Sequence, residues 1–390
     1  MKEERLPRRD WIVLPMLGLL TISLLLGSTE LIARHFFFNS GSSVENCLIK
    51  DDPLTGFRAI PNSVCRAREF ESPWIEYRFN RCGQRADTEC GPTPPGSYRI
   101  VLAGSSTAMG YQVQADQGLA ELLPSELTRR TGHKIDVYDE AMMSEYPATV
   151  ALRIKDLIAA KPNLILWVLT SWDIEHPSEI LPVVPKANGN RAPFGGTKQR
   201  LERALAEKSP FQTVGDILDT FHDVFAASRT KFLLQHFLYM SPSQYIVASL
   251  SHGGGTQESL RDRLSAEWQD HLLQFDKSYA EVQQRATKAG VPLVVVLVPG
   301  RVQAAMISAG QWPAGYDPYG LDNELHRIVE KHGGTYIPVL QDFRAIPNPE
   351  HDYYPVDSHP NASGHAILAG LLAKELTSGA IPTLGAPAQP

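Results

Sequence analysis

Three short runs of near-continuous aliphatic residues constrain this chain most: Tyr98 to Ala103 (YRIVLA), Leu164 to Leu169 (LILWVL) and Leu293 to Val298 (LVVVLV). A strand that is apolar on both faces has to be covered on both, the condition met in a parallel sheet layered with helices. The text between the runs supplies the helices. Leu119, Leu122, Leu123 and Leu127 give Ala115 to Thr131 a helical period, and further helices are expected over Ala148 to Ala160, Tyr279 to Ala289, Leu321 to His332 and Ala362 to Leu376. IDVY, from Ile135 to Tyr138, adds a strand between the first two runs. The fold class expected is α/β with a central parallel sheet. A chain of 390 residues suffices for one large domain or two modest ones.

The rhythm breaks in two places. Between about Glu175 and Asp276 a loop rich in proline and glycine leads into helical text around Val214 to Phe225 and Lys231 to Tyr239. This reads as a helical insertion above the sheet, serving as a lid, a substrate platform or packing alone. From Gly41 to Pro95 the composition shifts to Pro, Gly and Cys, which reads as an irregular, disulfide-pinned lead-in rather than a core. Cys47, Cys65, Cys82 and Cys90 all fall there, and such clustering in an exported segment suggests two disulfides, with three connectivities open. Zinc is disfavoured, because there is no C-x2-C pair and no nearby histidine.

Trp11 to Thr29 carry no charge, and a helix over them covers roughly the 30 Å core of a bilayer. The run is longer than the apolar region of a cleaved signal peptide and no A-x-A-like site follows, so an uncleaved anchor is expected. Lys2, Arg5, Arg8 and Arg9 precede it, while Arg34 alone follows closely, which puts the N-terminus in the cytoplasm and the bulk of the chain outside. The expected organisation is a cytoplasmic stretch 1–10, a transmembrane anchor 11–33, a lead-in 34–97, a main domain 98–376 with its insertion at 175–276, and a flexible tail 377–390. Lys+Arg 37 against Asp+Glu 43 leaves a net charge of −6, so no basic face is offered to nucleic acid.

Ligands of open parallel sheets bind at the carboxyl ends of the strands. After the first strand, Gly104-Ser105-Ser106-Thr107-Ala108-Met109-Gly110 places a serine at a helix N-terminus, where unpaired amides stabilise negative charge. A base is needed to activate that hydroxyl, and the segment Tyr353 to His365 (YYPVDSHPNASGH) offers His359 with Asp357 to orient it, the division of labour of a Ser-His-Asp triad. Other readings stand beside this one. Ser106 could simply cap a helix; His365 reads as a helix-face histidine, Trp172 as a core aromatic, Asp173 as a loop brace, and His351, Asp352, Asp357 and His359 as a metal cluster.

With GSSTAMG and DSHPNASGH in place, the chain resembles the SGNH/GDSL hydrolases, esterase-type enzymes of flavodoxin-like α/β fold. The resemblance covers roughly Arg99 to Leu376 apart from the insertion. It implies that Ser106 is the nucleophile and its N–H an oxyanion donor, that Asp357 and His359 complete the triad, and that neither metal nor cofactor is required. Three departures from the family's pattern stand out. Ser105 replaces the commonest Asp, Ser144 stands where a glycine N–H usually completes the oxyanion hole, and Trp172 stands where an asparagine side chain usually donates. Losing one such donor costs on the order of 10²–10³ in rate, and the indole N–H is the candidate replacement.

Resemblance and compartment together imply an anchored esterase or O-acyltransferase at the inner membrane, its catalytic domain periplasmic. The implied substrate is an ester, O-acetyl groups of cell-surface or exported glycans, and the implied partners are the bilayer through residues 11–33 and a membrane polysaccharide machinery. A catalytically degenerate glycan- or partner-binding module is the alternative. A lipase-like role is a third reading, from the aromatic and aliphatic residues of Phe211 to Tyr245.

Overall fold

The computed structural model describes residues 9–37, 44–52, 56–69, 71–178, 228–251 and 255–384. The expected helix at Val214 to Phe225 and the end of the expected tail lie outside these residues. The chain divides into two compact units, Met1–Gly41 with Pro185–Leu238, and Ser42–Val184 with Tyr239–Pro390.

In the first unit an apolar helix runs from Asp10 to Phe37. Its stretch Asp10–His35 is long and apolar enough to cross a membrane: its most apolar 18 residues have mean hydropathy 2.0 and are not buried by protein, whereas Ala33 near its end is buried. A second helix, Arg229–Leu238, starts against it. Glu30 accepts from the Arg229 and Thr230 amides at 3.0 and 2.9 Å, satisfying donors that a first helical turn leaves unpaired.

The second unit opens with two antiparallel strand pairs: β1 (Leu48–Asp52) with β2 (Gly56–Ala59), and β3 (Val64–Ala67) with β4 (Ile75–Arg78). Disulfides join Cys47 to Cys65 and Cys82 to Cys90. This stretch contributes to the core, which corrects the expectation of an irregular lead-in. Ile75, Tyr77 and Phe79 alternate with polar residues, a period of two, and all three are buried in the main apolar cluster.

Five parallel strands follow, in the order β6-β5-β7-β8-β9: β5 Ser97–Gly104, β6 Lys134–Asp139, β7 Leu164–Leu169, β8 Leu293–Leu297 and β9 Thr335–Tyr336. That is the flavodoxin-like arrangement, with a switch point beside the first strand. Helices Leu119–Thr131 and Ala362–Glu375 pack together, as do Pro147–Ala159 and Ala266–Lys288. Sequence periodicity misses β9, because two residues carry no period. The helix expected from Tyr279 begins at Ala266, where the Ser265 hydroxyl accepts from the Trp268 amide, and Trp268, Leu272, Phe275 and Tyr279 face inward. The final ten or so residues expected within the insertion therefore belong to the sheet's helical layer.

Candidate active site

β5 ends at Gly104, whose φ of +141° favours glycine, and a Cβ there would lie 2.4 Å from the Val168 carbonyl oxygen. That close passage turns the chain directly into a short helix, Ser106–Met109, closed by Gly110 at φ 77°. Ser106 is its first residue, so its amide has no acceptor within the helix. The Ser106 hydroxyl lies 2.8 Å from His359 Nε2, and His359 Nδ1 lies 2.5 Å from Asp357 Oδ1. In the arrangement this geometry favours, Nδ1–H donates to the carboxylate and Nε2 accepts from Ser106. Burial acts to raise the Asp357 pKa, but the bonds from the His359 ring and amide outweigh it and hold the carboxyl below its usual range. Asp357 is thus ionised at neutral pH. Ser358 between them takes φ +69°, the tight turn that aims both side chains one way, and the Tyr111 ring meets the imidazole edge-on at 5.0 Å.

The triad opens into a cavity of about 370 Å³ whose lining includes Ser106, Trp172, Thr256, Tyr353 and His359. Trp172 is 51% exposed, so it is not the core aromatic of the bland reading. Its indole N–H donates to the Tyr146 hydroxyl at 3.3 Å, and its ring packs on His176 at 4.4 Å. The expected replacement for the asparagine donor is therefore already engaged by a neighbouring hydroxyl. Ser144 is absent from the cavity lining, but its φ of +57° is the left-handed conformation that a glycine would take. Asp173 braces the loop, accepting from the Thr170 amide at 2.7 Å and hydroxyl at 2.8 Å; burial pushes its pKa up to about 6 against these bonds and the Ser105 hydroxyl.

His351 and Asp352 turn to structural tasks. The His351 carbonyl accepts from the Asn361 amide group, and Asp352 accepts from the Ser363 hydroxyl. Among the described residues no three His, Cys, Asp or Glu side chains are grouped to hold a metal. Asn361 caps the last helix through the Ser363 and Gly364 amides at 3.0 and 3.1 Å. A Cβ on Gly364 would lie 2.2 Å from the Asp352 carbonyl oxygen, which accounts for a glycine in that block.

His365 is fully buried on that helix and neither ring nitrogen has a partner among the described residues. Burial, with the positive charge of Arg85 nearby, pushes its pKa down to about 3. The unfolded chain takes a proton near pH 6.5 that the native state refuses until about pH 3, so this group costs stability progressively as pH falls through that window. A His365→Leu variant is expected to lose less of its thermal midpoint than the wild type between pH 7 and pH 4.5. Equal losses would place the acid lability elsewhere.

Sequence reasoning missed the clamps around the triad. Arg85, in the lead-in, donates to the carbonyls of Met109 (3.0 Å), Gly110 and Val113 (2.5 Å), tying down the nucleophile turn, while its guanidinium lies 4.3 Å over the Tyr77 ring. Arg301, also buried, donates to the carbonyls of Glu350 (3.0 Å) and Pro355 (2.6 Å), fixing the approach to Asp357. No spacing marks such residues in a sequence. The only local signal is at Arg301, a lone arginine between Val298-Pro299-Gly300 and Val302; Arg85 lies among polar residues such as Gln84 and Asp87 and carries none.

The sheet order is that of a flavodoxin-like α/β fold, and Ser106, His359 and Asp357 stand at the carboxyl ends of its strands in a Ser-His-Asp arrangement. No protein-family model matches the sequence, and no curated protein matches it. Among solved structures, the chain is similar to a lipase/acylhydrolase from Enterococcus faecalis at 11% identity, over 72% of this chain and 95% of that one, with a TM-score of 0.37. It is similar to a psychrotrophic esterase from Pseudoalteromonas sp. at 10% identity, over 71% and 96%, with a TM-score of 0.36. An acetyl-xylooligosaccharide esterase from Geobacillus matches at 11% identity, over 74% and 96%, with a TM-score of 0.37.

Proposed function

We propose that the protein is a serine esterase, or a related O-acyltransferase, anchored in the inner membrane by its apolar N-terminal helix with the catalytic unit on the periplasmic side. The observation that carries the reading is the continuous Ser106–His359–Asp357 relay, with spacings of 2.8 and 2.5 Å. Ser106 Oγ attacks the ester carbonyl carbon as its proton passes to His359 Nε2. The carbonyl oxygen gathers negative charge at the Ser106 amide and the helix start. His359 then gives the proton to the departing alcohol, leaving an acyl-enzyme. Water, or an acceptor hydroxyl, attacks that ester with His359 again as base. Asp357 holds the imidazole and balances its charge.

The substrate class we assign is an O-acylated, O-acetyl in the simplest case, cell-surface or exported glycan, handled beside a membrane polysaccharide machinery. Support comes from the two disulfides, from basic residues gathered before the apolar helix, and from an exposed but immobilised indole beside the nucleophile that offers a sugar ring a flat apolar face. The test is acetate release from p-nitrophenyl acetate and from acetylated xylooligosaccharides by the detergent-solubilised full chain, wild type beside Ser106→Ala. Release confined to the wild type supports the reading. Equal inactivity of two folded proteins would move the second reading ahead, a glycan-binding module without turnover; the engagement of the Trp172 N–H by Tyr146 favours that alternative.

A further inference from the structure

The hairpin formed by β3 and β4 reaches the triad through the chain that connects its strands. Glu71 in that connection accepts from the amides of Val356 at 3.0 Å and Asp357 at 2.8 Å, across 286 residues of sequence in the second case. The hairpin is stiffly held, since Cys65 pairs across the ladder with Tyr77 and is bonded to Cys47, and the Glu69 amide donates to the buried Ser72 hydroxyl at 3.2 Å. Glu69 also faces the hydroxyl of Tyr111, whose ring rests against His359. One connection therefore supports the acid loop from one side and the imidazole from another.

A carboxylate that accepts two neighbouring amides makes charge-assisted bonds, and these fix the peptide planes on which the Asp357 side chain is mounted. Asp357 in turn sets the imidazole, so an error at its backbone reaches the Ser106 hydroxyl through two short bonds. We infer that Glu71 is a positioning residue of the triad, so that the disulfide-bonded lead-in is part of the active site rather than a spacer before it. The inference rests on the reading of Ser106, His359 and Asp357 as catalytic.

The experiment uses the full chain in detergent and measures the second-order rate of Ser106 modification by a fluorophosphonate probe, with kcat and KM for p-nitrophenyl acetate per titrated active site. Glu71→Ala is expected to slow modification and lower kcat about 100-fold with KM unchanged, the scale of a small misplacement of reacting groups. Glu71→Gln keeps one acceptor oxygen but not the charge, and is expected to lose about tenfold. Glu71→Ala reacting as fast as wild type overturns the inference. So does a loss confined to the number of titratable sites, with the rate per site intact, because that is the signature of partial unfolding alone. Should Glu71→Ala not fold, a Glu71→Gln variant at wild-type rate overturns it equally. A wild-type protein that the probe does not modify at Ser106 removes the esterase reading and this inference together, whereas failure of the variants beside a reactive wild type removes the inference alone.

Discussion

Alanine at Ser106 and alanine at His359 are each expected to lower kcat for ester hydrolysis by about 10⁶-fold, and the double variant no further, because groups that act as one relay lose their effect together. The physical basis is the pair of bonds on either side of the imidazole. A serine hydroxyl without its base is a weak nucleophile at neutral pH, and a base 2.8 Å from nothing activates nothing. What survives either change is the field of the helix start and the binding of substrate in the cavity, which together retain roughly 10³–10⁴ over water in comparable triads. Stopped-assay rates for p-nitrophenyl acetate, compared across the two single variants and the double, decide the matter. Losses that multiply in the double variant would show two independent contributions and would break the relay into separate parts.

Gly104→Ala is expected to destabilise the second unit by about 4 kcal/mol or more. Two costs combine. The residue holds φ at +141°, a conformation an L side chain adopts only under strain, and the new Cβ would sit 2.4 Å from the Val168 carbonyl oxygen and 2.9 Å from the Ala108 Cβ. The first obstacle is the backbone of the neighbouring strand, so relief requires movement of the sheet or of the Ser106 turn. A drop of about 10 °C in thermal midpoint is the corresponding scale. Gly91→Ala is the control, since a Cβ there meets nothing within 4 Å and φ is ordinary; its midpoint is expected to stay within a degree or two. If both variants melt with the wild type, the sheet end is looser than its packing indicates.

The clearest pattern in the sequence marked the parts with repeating chemistry. Near-continuous apolar runs at Leu164–Leu169 and Leu293–Leu297 become strands with every residue buried, because a strand covered on both faces favours side chains that leave little polar surface to satisfy; the Trp167 indole N–H is the one polar side-chain group they carry. The order of Ser106, Asp357 and His359 was likewise legible, since a turn of small residues after a strand and a histidine two places beyond an aspartate are local patterns. The apolar N-terminal run was legible by length alone. The lead-in was not. Its buried Ile75, Tyr77 and Phe79 form too short an alternation to stand out from a stretch rich in proline, glycine and cysteine, and its pairing of cysteines was open among three choices until the chain folded.

The sequence by itself therefore determined the layered α/β architecture, the apolar helix and the identities of the candidate nucleophile, base and acid, because each is written within a few residues of its own position. Tertiary structure alone decided that Glu71, Arg85 and Arg301 brace the site, that the Trp172 donor is occupied by Tyr146, and that His365 is buried with no hydrogen-bond partner among the described residues. Those are contacts between residues tens to hundreds of positions apart. Their energies depend on the distance, burial and partner that only folding supplies, and no local pattern in the chain encodes them.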